Sequence, residues 1–171
     1  MIRWIVATLV VAALVHAAAV FGAPRLVMRR IMAGVAASAG GWNAAFAGPR
    51  ASAASRQIVM PSPDLLYTIC AFDLSNGPVR LTATPPTGTY WSAAAYAANT
   101  DNFFVVSDRT LNARTLDTVL ALEGQAAPAG ATVVRAPSPR GIVLYRTLIA
   151  DEARLPELDA ARKAMRCAPV S

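Results

Sequence analysis

The spacing of apolar and polar positions changes character twice along the 171 residues. From Trp4 to Ala23 there are 20 residues without a formal charge, interrupted only by Thr8 and His16. At about 1.5 Å per helical residue, such a run spans the roughly 30 Å hydrocarbon layer of a bilayer. From Pro24 to Gly41 apolar residues recur at helical spacing (Leu26, Val27, Ile31, Met32, Val35), with Arg25, Arg29 and Arg30 among them and Gly40-Gly41 as a stop. This stretch reads in two ways. It is either a separate helix begun at Pro24, lying along phosphate head groups with Trp42 as interfacial anchor, or a plain extension of the first helix. Asn43 to Arg56, rich in Ala, Ser and Gly, reads as a linker.

Beyond Gln57 the period shortens to that of strands. Candidates are Gln57 to Met60, Leu65 to Asp73, Val79 to Ala83, Thr89 to Ala97, Phe103 to Ser107, Thr118 to Leu122, Thr132 to Arg135 and Ile142 to Leu148. Pro61-Ser62-Pro63, Asn76-Gly77-Pro78, Pro85 to Gly88, Asn99 to Asn102, Gly124 to Gly130 and Pro137 to Gly141 separate them as turns. Short strands at this spacing predict an antiparallel β-sandwich or jelly-roll-like domain. Asp151 to Arg166 returns to helical spacing through Leu155, Leu158, Ala161 and Met165, acidic at its start and basic at its end. The expected organisation is a membrane anchor or uncleaved signal over 1–23, a juxtamembrane helix over 24–41, a linker over 42–56, and a mainly β domain with one C-terminal helix over 57–171.

Charge alters this picture in one respect. The formal +6 would suit nucleic acid if it were spread over the folded part, but residues 1–50 hold five arginines and no acid. Residues 51–171 hold 11 basic and 10 acidic side chains, so a nucleic-acid partner is excluded from the reading.

Candidate chemistry is sparse. His16, the one histidine, lies within the apolar run, so no imidazole is available to activate a serine or cysteine in the domain. There it either contacts a second transmembrane helix or is tolerated neutral among alanines. No His/Cys cluster suits a transition metal and no Gly-rich phosphate loop is present, so neither metal nor cofactor is expected. Asp64, Tyr67, Asp73, Asn99, Asp101, Asn102, Asp108, Arg109 and Arg140 stand beside turns, where both binding sites and local backbone caps draw their residues. Tyr67, Tyr90, Trp91 and Tyr96 would line an aromatic pocket if they converge, and pack in the core or on a sheet surface if they do not. The cysteines give the sharpest residue-level signal. Leu66, Thr68, Cys70, Phe72 and Leu74 share one strand face, mostly apolar and therefore inward, and Cys167 ends the helix that should pack over it. In an exported chain the two form a bridge; otherwise they are separate buried thiols.

Several blocks together resemble a known family. Asp64, Leu66, Tyr67 and Thr68 fall on an Asn-x-Asp-Thr-Leu-Tyr-Ser pattern, and Asp73-Leu74-Ser75 with Gly77-Pro78-Val79 continues it. Gly88-Thr89-Tyr90-Trp91-Ser92 and Thr100-Asp101-Asn102-Phe103 resemble the next block. The chain thus resembles short, membrane-anchored members of the family catalogued as domain of unknown function 1254, with Ser62 in place of the usual Asn and Leu65 departing from the Thr-containing approach. The resemblance implies a bacterial domain working outside the cytoplasm. It also implies a natural partner in the module catalogued as domain of unknown function 1214, which longer relatives carry fused. A literal count of arginines flanking the span would put the domain in the cytoplasm; the cysteine pair and the resemblance point outward, to a single-pass inner-membrane protein with its domain in the periplasm. Three function classes follow: an envelope interaction subunit paired with a second anchored protein, a binding module for a small lipid or sugar, and, less favoured, an enzyme using carboxylates alone.

Overall fold

In the computed structural model, residues 1–56, 61–111 and 113–170 are described, so the strand expected over 57–60 lies outside the described residues. Helix α1 runs unbroken from Ile2 to Ala39, straight through Pro24. Proline in a helix interior forfeits one backbone hydrogen bond, yet the apolar stripe continues past it and has somewhere to go. Met28, Met32, Val35 and Ala36, spaced i, i+4, i+7 and i+8, are buried against Ala71 and Ile142, with Ile69, Tyr96 and Ala98 beside them. Of the two readings of residues 24–41, the extension holds, and its apolar face meets a sheet rather than head groups. Residues 2–23 stand exposed. Gly40 ends the helix in the left-handed region (φ 78°), its N–H and that of Gly41 closing on the last carbonyls.

Nine strands follow: β1 (Ala45–Phe46), β2 (Leu65–Asp73), β3 (Val79–Ala83), β4 (Trp91–Ala97), β5 (Asn102–Ser107), β6 (Leu116–Ala121), β7 (Val133–Arg135), β8 (Arg140–Leu148) and β9 (Arg166–Pro169), with α2 (Leu155–Lys163) before β9. They form two sheets, β1-β2-β8-β4-β5 and β7-β6-β3-β9. All pairings are antiparallel except β6 with β7. The inner faces bury Phe72, Leu74, Val79, Leu81, Leu120 and Tyr145 among others, so the predicted sandwich stands, with α1 as a third layer on the outer face of the first sheet. Each large side chain so buried contributes about 1.5–3 kcal/mol.

Three local expectations change. The segment expected as a linker is tied to the domain. It supplies β1, Asn43 exchanges side-chain bonds with the backbone of Asp73 at 2.9 and 2.7 Å, and Arg50 meets Glu152. The C-terminal helix is shorter than Asp151–Arg166, being a 3₁₀ turn over Glu152–Arg154 and then α2. Cys167 is therefore not on a helix but on β9, opposite Leu81 of β3.

α2 closes one end of the sandwich through Leu158 against Leu66 and Ile149. Arg162, 3% exposed, fixes that end: it pairs with Asp159, and its Nη1 donates at 2.8 Å to the carbonyls of Gly48 and of Tyr67. One buried guanidinium thereby joins α2, β2 and the segment behind β1. It satisfies carbonyls that would otherwise be desolvated and unpaired.

Candidate functional site

The bridge between Cys70 and Cys167 is formed, with Cα atoms 6.4 Å apart, within the range a disulfide requires. Because β2 belongs to the first sheet and β9 to the second, it ties the two sheets together instead of tying a helix to a strand.

The four aromatics do not share a pocket. Side chains alternate across β4, so Trp91 points inward and stacks on Tyr145 with ring centroids 6.0 Å apart, while Tyr96 points outward beneath α1. The Tyr67 hydroxyl accepts from the N–H of Ser62, and Tyr90 is exposed.

Most of the polar turn residues hold their own turns. Asn99 donates to the Asp101 carboxylate at 2.6 Å and accepts from the Asp101 N–H. Asn102 donates from one amide nitrogen to the carbonyls of Ala95 and Phe104, at the place where β4 and β5 lose register. The N–H of Asp64 donates to the Ser62 hydroxyl, and the N–H groups of Asp108 and Arg109 donate to the Trp91 carbonyl and the Ser107 hydroxyl. His16 is exposed on α1, far along the helix from the domain.

Two predicted residues do come together. Asp73 and Arg140 face each other across β2 and β8, with Nε to carboxylate 2.8 Å, and the Arg140 guanidinium lies 5.0 Å from the ring centre of Trp42. Burial acts to raise the Asp73 carboxyl, but hydrogen bonds from Ser75 and the Arg140 charge outweigh it and leave the carboxyl below its ordinary value. A carboxyl lowered on folding adds stability above its unfolded value, and that stability is lost as pH falls through the folded one. Acid should therefore weaken this corner below about pH 4. In Asp73→Asn, the loss of melting temperature between roughly pH 4 and 2 should be shallower than in the wild type; parallel curves would refute the assignment.

Beside this corner, where α1 leaves the sheet, a cleft of about 380 Å³ opens between the helix and the turns after β4 and before β8. Arg25 and Arg29 form one wall; Ala98, Asn99, Pro137 and Ser138 form the other. Arg25, Arg29 and Asn99 were legible in the sequence, but their meeting was not, because nothing in the local pattern brings residues 98–99 and 137–138 to a helix roughly seventy and 110 residues earlier. Among the described residues no group of three or more His, Cys, Asp or Glu side chains is placed to hold a metal.

No curated protein matches the sequence. Among solved structures, the VPA0106 protein from Vibrio parahaemolyticus has the same fold, at 17% identity and a TM-score of 0.59 over 64% of this chain and 28% of that one. An uncharacterised protein from Burkholderia cenocepacia is similar at 18% identity and a TM-score of 0.48, over 76% of this chain and 36% of that one. The chain thus spans about a third of the length of these relatives. Residues 43–169, β1 through β9, match the family model described as protein of unknown function (DUF1254), and the chain belongs to that family.

Proposed function

We propose that the protein is an inner-membrane-anchored interaction subunit of the bacterial cell envelope, with its β-domain in the periplasm and a second anchored protein as partner. The observation that carries this reading is that one uninterrupted helix is both a candidate membrane span, apolar and exposed over residues 2–23, and a docked layer of the domain from Met28 onward. A domain held that way keeps a fixed height above the bilayer and presents its free surfaces to whatever stands beside it. The inter-sheet disulfide supports an oxidising compartment. The module catalogued as domain of unknown function 1214 is the partner this reading favours. His16, exposed among alanines in the span, would meet the partner's helix.

Alkaline phosphatase fused after Ser171 is expected to be active and a cytoplasmic reporter silent; the opposite pattern would overturn the periplasmic placement. From mild detergent the wild-type chain should retain a second membrane protein, recovered several-fold less with His16→Leu. Equal recovery would remove His16 from the contact, and recovery of the chain alone would defeat the pairing.

A further inference from the structure

We propose that the cleft between α1 and the domain is a phosphate site that seats the head group of one anionic phospholipid. The first observation is charge without partners. Among the described residues Arg25, Arg29 and Arg30 form no ion pair with a carboxylate, and two of them, Arg25 and Arg29, line the same cleft, so their charges converge on one space. Among the described residues Arg25 bonds the Phe21 carbonyl alone, one turn back on its own helix. Two guanidinium groups one turn apart, facing a cavity, suit a phosphate that accepts from both.

The second observation is depth. The apolar run ends at Ala23, so at about 1.5 Å per residue Arg25 and Arg29 stand roughly 3 to 9 Å beyond it, within the thickness of the head-group layer. The opposite wall is also suited to this. Asn99, held by Asp101, and Ser138, whose hydroxyl accepts from the Ala98 N–H and donates to the Arg140 carbonyl, give that wall a fixed shape, while Ala98 and Pro137 give an apolar surface of the kind a glycerol and upper acyl chain would contact. A seated lipid phosphate would also account for arginines on the translocated side of a span, which are otherwise unfavourable there.

The inference rests on α1 standing in the bilayer and on nothing about protein partners. The full chain is reconstituted into nanodiscs of phosphatidylcholine containing phosphatidylglycerol, and retained lipids are counted by native mass spectrometry after release into detergent. One phosphatidylglycerol per chain should be retained in preference to phosphatidylcholine. The preference should drop about tenfold in R25Q/R29Q, persist in R25K/R29K, and be unaffected by R3Q at the other end of the span. An unchanged melting midpoint in R25Q/R29Q, whose substituted residues are exposed, shows that the fold is kept; if that variant melts early, R25K/R29K alone decides, and loss of preference with the fold intact and the charge retained counts against the site. Equal retention of both lipids by the wild type would overturn the inference while leaving the anchor standing. Failure of the chain to enter nanodiscs would overturn both. Displacement of the lipid by millimolar inorganic phosphate would reassign the cleft to a free anion and refute the lipid.

Discussion

Replacing both members of the Cys70–Cys167 bridge by alanine is expected to lower the unfolding free energy by about 4 to 5 kcal/mol, the largest single effect foreseen in this molecule. The two cysteines are 97 residues apart, and a cross-link closing a loop of that length removes much of the freedom of the unfolded chain. Its position in the fold adds a local consequence. Among the described residues β9 is an edge strand paired with β3 alone, over Val79 to Thr82, and the bridge is the covalent bond that holds it to the first sheet. In the double variant, amide exchange should rise first along Arg166 to Ala168. Non-reducing peptide mapping of exported protein should recover the two cysteine peptides linked. Urea unfolding of the full chain measures the rest, and a loss under about 1 kcal/mol would refute the entropic account.

Gly141→Ala is expected to cost about 3 kcal/mol or more, the upper end of what overpacking does in a core. The strand pattern points position 141 inward with Val143 and Tyr145, and the missing side chain leaves that space to Phe72, its neighbour across the ladder to β2. A Cβ there would overlap the carbonyl oxygen of Tyr96 on β4 and lie 2.5 Å from the Phe72 ring. Neither obstacle yields easily. The carbonyl is backbone, and Phe72 is fully buried, edge-on to Phe103 with ring centres 6.2 Å apart. Adding Phe72→Leu to Gly141→Ala should recover part of the loss relative to Phe72→Leu alone, because it relieves the ring contact and not the backbone one. A wild-type urea midpoint for Gly141→Ala would show that β4 can shift, and the steric argument would be abandoned.

The boundaries of β2 and β3 were legible to the residue, since alternation and flanking Asn, Gly and Pro are local signals. Gly141 shows the limit. It reads as the end of the turn from Pro137 and stands instead inside β8, because a residue without a side chain carries no alternation signal. β9 was invisible for a related reason. Arg-Cys-Ala-Pro has little strand propensity and pairs because the edge of β3 offers its backbone groups.

By itself the sequence determined the apolar span, the mainly β class, the single helix near the C-terminus, the inward face carrying Cys70, and the confinement of excess charge to the first 50 residues. All of these depend on the type and spacing of neighbouring side chains. Only the tertiary structure decided that α1 passes through Pro24 to become a layer of the domain, that the Ala-, Ser- and Gly-rich segment is bound to β2, and that the disulfide joins two sheets. It also decided that Trp91 and Tyr96 part to opposite faces of β4, and that Arg25 and Arg29 close a cleft with residues far along the chain. Those outcomes depend on backbone hydrogen bonds and apolar contacts between distant segments. Such contacts leave no periodicity in either segment, so they emerge only when the whole chain has packed.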